Sequence, residues 1–276
     1  MSAFKLGIEL PTNLPMDHVD QLDVIKSVGF DGFFTMWQPE KTEKIANKAA
    51  KLGLFQQSIH SPFSGIYKVS HLWNGGEEGE RVTGSLIECV KDCARFDIPI
   101  MVIHPFIGFK DHTPTQTGLD NYARVIEAAT KYGVKLGFEN VEGEEYLAAI
   151  MEKFGNDDHV GFCFDSGHEM CYNRNKDMLA LYGHKLIHTH LNDNLGVRGE
   201  EITSLDDLHL MPTHGIADWH SIMERIRATG YDGMLMSELS FSTREGKNGI
   251  THAYDKLSAE EYFTQAFALI NKAISM

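Results

Sequence analysis

Short apolar runs that end in polar residues alternate along the chain with longer stretches of helical apolar spacing. The strand-like runs fall at 5–10, 32–36, 55–60, 98–104, 134–139, 160–165, 185–190 and 233–238. Between them, apolar positions recur at helical intervals over 17–28, 40–52, 81–96, 119–132, 144–154, 176–182 and 219–229. A last helical stretch, 258–274, closes the chain. Gly29, Gly53, Gly133 and Gly230 each follow a helix, where left-handed backbone ends the turn. Eight strand–helix units in about 250 residues predict the α/β class and a closed (β/α)8 TIM barrel, as one domain over 1–276. An open doubly wound sheet is the competing arrangement. It lacks its G-x-G-x-x-G after the first strand, where Gly7-Ile8-Glu9-Leu10-Pro11 stands.

The active site of such a barrel lies at the C-terminal ends of its strands. The third run ends Ser58-Ile59-His60-Ser61-Pro62, the fourth Val102-Ile103-His104-Pro105 and the fifth Gly137-Phe138-Glu139-Asn140. The sixth ends Phe162-Cys163-Phe164-Asp165-Ser166-Gly167-His168, the seventh His188-Thr189-His190-Leu191-Asn192-Asp193-Asn194, and the eighth Met236-Ser237-Glu238. Six successive strands therefore finish in His, His, Glu, Asp, His and Glu. Side chains alternate faces along a strand. Asp165 shares parity with Cys163, while Phe162 and Phe164 suit the helix-facing side. His104 shares parity with Val102, and Glu238 with Met236. Neighbouring strands lie about 4.8 Å apart, so adjacent rim residues can share an ion. That many unpaired ionisable groups in one small volume would be costly to desolvate, and a cation removes the cost. Imidazole with carboxylate suits zinc, manganese or a similar divalent ion. Past the seventh strand, Asp207 and His209 form a D-x-H pair able to grip an ion from an extended loop.

Composition narrows the chemistry. The 276 residues are 42% apolar and 23% charged, enough for a sizeable core. There are 14 histidines, and imidazole is the commonest metal ligand. Lys and Arg total 25 against 39 Asp and Glu, a formal charge of −14. That balance opposes nucleic acid and anionic membrane surfaces as partners. Three divalent ions would bring it only to about −8. The start MSAFKLGIELP has no apolar run behind a basic segment, and no stretch is long enough to span a membrane. Cys89, Cys93, Cys163 and Cys171 show no C-x-x-C spacing. Buried free thiols in a cytoplasmic protein are the expectation.

The motifs I-H-S-P, V-I-H-P, G-F-E-N, F-D-x-G-H, H-x-H-L-N-D, D-x-H-L and S-E, in this order, resemble the xylose-isomerase-like barrel superfamily. That group joins sugar and sugar-phosphate isomerases and epimerases with endonuclease IV of the AP endonuclease family 2. The resemblance runs over about residues 5–274. In the endonuclease IV pattern, it implies that His60, His104 and Glu139 hold one zinc ion. Glu139, Asp165, His190 and Glu238 would hold a second, and His168, Asp207 and His209 a third. In the isomerase branch only the second group holds a metal, zinc or manganese. There Glu139 and Glu238 would exchange the substrate proton. Thr213-His214-Gly215 stands where the family often has G-E-G.

The leading expectation is therefore a divalent-metal-dependent isomerase or epimerase of a sugar or sugar phosphate, holding one to three ions. His168, Glu9 and Trp37 are substrate-binding candidates, and Arg198 and Lys110 candidates for a phosphate. The competing expectation is a trinuclear zinc phosphodiester hydrolase. A non-enzymatic sugar-binding protein is a third, and self-association into a homo-oligomer is left open.

Overall fold

Eight parallel strands pair in chain order from the first to the seventh, and the eighth returns to pair with the first. The computed structural model describes residues 4–110, 113–242 and 254–276. The strands are β1 Leu6–Glu9, β2 Gly32–Met36, β3 Phe55–His60, β4 Ile100–Ile103, β5 Lys135–Glu139, β6 Val160–Asp165, β7 Leu186–His190 and β8 Leu235–Ser237. The helices are α1 His18–Val28, α2 Pro39–Leu52, α3 His71–Asn74, α4 Gly76–Arg95, α5 Gln116–Tyr132, α6 Glu144–Phe154, α7 Ser166–Met170, α8 Met178–Tyr182, α9 Trp219–Ala228 and α10 Ala259–Ile274. This is the (β/α)8 TIM barrel that the alternation predicts. The seam between β7 and β8 closes by a bridge from Leu191 to Ser237 and by one side chain. Thr189 Oγ1 accepts from the Met236 amide at 2.9 Å and donates to the Met236 carbonyl at 3.1 Å.

The helix boundaries have local causes. Asp17 and Thr115 cap α1 and α5 through their side chains, and Ser258 with Glu261 forms a capping box on α10. Gly29, Gly53 and Gly133 end α1, α2 and α5 in the left-handed region. Gly230, with φ 78°, follows the cap of α9 by one residue. Two short helices, α3 and α7, lie in strand-to-helix loops that the apolar spacing does not mark.

Alternation along the strands sorts the core into two layers. Ile59, Met101, Phe138, Phe162 and Phe164 pack outward against the helices. Inside the barrel sit Ile100, Val102, Cys163 and Ile187, with Phe34, Met234 and Met236 as a second cluster. The methionines come so close to β1 that a β-carbon on Gly7 would overlap the Met236 side chain.

Two β-bulges interrupt the alternation. On β3 the register against β2 jumps from Gln56 to Ser58. On β7 it jumps against β6 from Leu186 to His188. A one-residue shift reverses every later side chain. Ile187 and His188 thus both face the barrel interior, and His190 follows on the inward side.

Candidate metal centre and its cavity

The strand ends deliver their ionisable side chains to one place. Glu139, from the end of β5, is fully buried at the middle of the set. Its Oε2 lies 3.4 Å from His60 Nε2 and 3.3 Å from His104 Nε2. Its Oε1 lies 3.2 Å from both His190 Nδ1 and His168 Nδ1. Glu238 Oε2 approaches His190 Nδ1 at 3.1 Å and His209 Nδ1 at 3.6 Å. Asp207 Oδ2 contacts His209 Nε2 at 2.8 Å and His168 Nε2 at 3.3 Å. Three groups result, each with donor atoms within 4.8 Å of one another: His60, His104 and Glu139; Glu139, Asp165, His190 and Glu238; His168, Asp207 and His209.

A scaffold of amides holds these groups. Asp165 Oδ1 accepts from the His168 amide at 2.6 Å, which caps α7, and Oδ2 accepts from Asn192 Nδ2 at 2.9 Å. Asn140 brackets the Asp165 backbone: its Nδ2 donates to the Asp165 carbonyl and its Oδ1 accepts from the Asp165 amide, both at 2.8 Å. Asn194 Oδ1 accepts from the Leu208 amide at 2.5 Å, and its Nδ2 donates to Asp207 Oδ1 at 3.3 Å. The Asn192–Asn194 segment runs against α7, where a β-carbon on Gly167 would overlap Asn192 Oδ1. This gives the glycine of F-D-x-G-H a steric cause. Asp193 gathers the loop that carries Asp207 and His209. It accepts from the amides of Thr213 and Ala217 at 2.9 Å and from Trp219 Nε1 at 3.0 Å. His209 itself has φ 48°, a strained conformation held by its contacts on both ring nitrogens. His214, in the departure from G-E-G, instead meets the Tyr254 hydroxyl at 2.7 Å.

The donor set fits a divalent cation. The Ser61 carbonyl, 2.8 Å from His60 Nδ1, and the Glu238 carbonyl, 3.3 Å from His209 Nδ1, can each accept a ring proton. That leaves Nε2 of both rings free to ligate. Glu139 Oε2, His104 Nδ1 and His190 Nε2 are buried without a hydrogen-bond partner. Without an ion, protons must neutralise the set. Burial pulls His190 down, but Cys163, Glu238 and Glu139 outweigh it and hold the ring well above its usual range. His168 is likewise raised against its burial, by Asp165 and Asp207. Burial acts to raise Glu139, yet His190 and His104 keep it well below the carboxylate range. Burial works against Glu238 too, but His190 and His209 hold it at about 2. Burial pushes Asp165 up to about 6. Burial, then Glu238, takes Glu9 to about 8.

A cavity of about 900 Å³ opens above the set. His104, His168, Asp207, His209 and Glu238 reach its surface, as do Glu9 and Glu142. Phe63, Phe109 and Tyr172 supply aromatic wall, and Lys68 is the one Lys or Arg among the described lining residues. Glu142, Phe63 and Lys68 lie in loops beyond the strand ends, where strand alternation gives no signal. Three sequence candidates fall elsewhere. Trp37 is outside the lining, because Met36 takes the inward position and the Trp37 indole donates to Asp92 Oδ2 on α4 at 2.8 Å. Arg198 and Lys110 are also outside it. The four cysteines are free and buried, and among the described residues no helix is long and apolar enough to cross a membrane.

This fold and strand-end set place the chain in a known class. It belongs to the xylose isomerase-like TIM barrel family, whose profile matches residues 22–260. The uncharacterized protein MJ1311 of Methanocaldococcus jannaschii is 25% identical over 237 residues, 79% of this chain and 72% of its own. The rhizopine catabolism protein MocC of Rhizobium meliloti is 28% identical over 132 residues, 41% of this chain and 39% of its own. Among solved structures, IolI protein with a bound zinc atom superposes with a TM-score of 0.76 at 18% identity, covering 98% of each chain. D-psicose 3-epimerase from Clostridium cellulolyticum H10, solved with D-tagatose, gives 0.72 at 14% identity, over 98% of this chain and 99% of that one. At these identities the structural likeness is one of fold.

Proposed function

We propose that the protein is a divalent-metal-dependent isomerase or epimerase of a sugar or sugar phosphate. The observation that carries this reading is the placement of two carboxylates about one four-donor group. Glu238 reaches the cavity surface, while Glu139 lies buried in the same group with Asp165 and His190. When bound, a zinc- or manganese-class ion would polarise a substrate carbonyl and lower the cost of enediolate charge. A bound ion would keep Glu238 ionised, as His190 and His209 do in its absence, and that is the state a proton acceptor needs. Glu139 is the second carboxylate, the candidate to exchange the proton with the opposite substrate face. Glu9, which burial and then Glu238 shift upward in the metal-free protein, reaches the cavity and can meet a substrate hydroxyl. Phe63, Phe109 and Tyr172 offer rings to the C–H faces of a sugar, and Lys68 a charge for a phosphate.

One observation favours a second reading. Both oxygens of Glu139 face imidazoles, four in all, as suits a carboxylate shared between ions. A three-ion phosphodiester hydrolase would use it that way. The two readings separate in deuterated water. The isomerase reading expects solvent deuterium on the carbon next to the carbonyl of a ketose or ketose phosphate. Phosphodiester cleavage without such exchange, with three ions per chain, would replace it with the hydrolase.

A further inference from the structure

A second tier of polar side chains lies beneath the rim, inside the barrel. Ser58, Cys163, His188 and His190 are all fully buried. His188 Nε2 is 2.8 Å from Ser58 Oγ, and its Nδ1 is 3.6 Å from Cys163 Sγ. A ring nitrogen of His190 lies within 4.8 Å of both Cys163 Sγ and a His188 nitrogen. The two bulges assemble this tier. One sets Ser58 inward on β3, and the other sets His188 opposite Cys163 and His190 opposite Asp165.

His190 poses a problem that His60 and His209 do not. An imidazole that ligates through one nitrogen needs an acceptor for the proton on the other. His60 and His209 each have a backbone carbonyl for that proton. His190 directs Nδ1 toward Glu139 and Glu238, and its Nε2 is buried without a close partner. Inside a barrel the strand carbonyls are already committed to the sheet, and the Cys163 sulfur is the acceptor within reach of the ring. The proton order then has two possible directions. In one, His190 Nε2–H points to Cys163, the thiol donates to His188 Nδ1, and His188 Nε2–H donates to Ser58 Oγ. In the other, every donor is reversed, His190 carries its proton on Nδ1, and that nitrogen cannot ligate.

We infer that Cys163, His188 and Ser58 form a proton-ordered file that accepts the Nε2 proton of His190 when its Nδ1 lone pair binds a divalent ion, and so supports the ligating tautomer. These are positioning residues. The inference rests on the metal reading of the rim, not on the reaction proposed for it.

The test uses the full chain and zinc itself. Zinc affinity is measured by competition with a chelator, and the His190 tautomer by ¹⁵N chemical shifts of labelled histidine rings. The wild type should show His190 Nε2 protonated and Nδ1 ligating. Cys163→Ala should weaken zinc at the Glu139, Asp165, His190 and Glu238 group by about 10–100-fold and mix the tautomers, while Cys163→Ser, which keeps a donor and an acceptor, should stay within about threefold of wild type. Ser58→Ala, on a different strand, should also lower zinc affinity and mix the tautomers. Unchanged affinity and tautomer in Cys163→Ala and Ser58→Ala would overturn the inference. So would equal losses in Cys163→Ala and Cys163→Ser. A wild-type protein that takes up no zinc would overturn the metal reading, and this inference with it.

Discussion

The two sides of the barrel mouth do different work. From β3 to β7 every strand ends in a buried His, Asp or Glu, or the residue directly after it supplies one, and half-buried Glu238 follows β8. These side chains are fixed by Asn140, Asn192 and Asn194 and by carbonyls behind the imidazoles. On the other side, β1 and β2 end in Glu9 and Met36, and the loop after β1 adds Pro11, Thr12 and Asn13 to the cavity wall. One side gathers a donor set that fits an ion; the other leaves space beside it. Rigidity is concentrated on the donor side. Ligands must be held to fractions of an ångström, whereas a wall needs only shape and polarity.

The largest blow to that contrast is removal of a carboxylate from the four-donor group. Glu139→Ala or Asp165→Ala should abolish ion uptake at the four-donor group and cut kcat/KM by roughly 10³-fold or more. Next comes the scaffold. Asn192→Ala leaves Asp165 Oδ2 without its donor and should weaken ion affinity by about 10–100-fold, read by chelator competition. The pH response of the metal-free protein follows. Burial lowers His209, but Asp207 and Glu238 outweigh it and raise the ring from 6.5 to about 10. A raised histidine contributes its full stability below its unfolded value and loses it as pH rises through the folded one. The Tm of the metal-free protein should therefore fall between pH 7 and 10, and His209→Ala should flatten that fall. On the wall the effects are smaller. Lys68→Ala should raise KM for a phosphorylated sugar about fivefold and leave an unphosphorylated one unchanged, since an exposed ion pair is worth at most about 1 kcal/mol. Smallest of all, Trp37→Phe should cost about 1 kcal/mol of stability through the lost bond to Asp92 and leave KM unaltered.

Much of the ligand side was legible because it depends on two regular things, strand parity and strand ends. Asp165 follows from the parity of Phe162 and Phe164, and Glu238 from that of Met236. The same rule applied to β2 would have placed Trp37 correctly: with Phe34 and Met36 inward, Trp37 must face the helices. His190 is a different case. On unbroken alternation from Leu186, paired with the outward Phe162, His188 and His190 would face the helices. The bulge at Ile187 reverses them, and nothing in the local sequence announces it. Lys68 and Glu142 reach the cavity from loops, whose paths no periodicity encodes.

The rim from β3 to β8 is proposed as a divalent-ion site with Glu139 among its ligands. Elemental analysis of the purified full chain and of Glu139→Ala, after equal loading with zinc and dialysis, tests it most directly. At least one ion per wild-type chain, and its loss in the variant, are the expected results. A wild type without bound ion, or a variant that keeps the full complement, would contradict the proposed site.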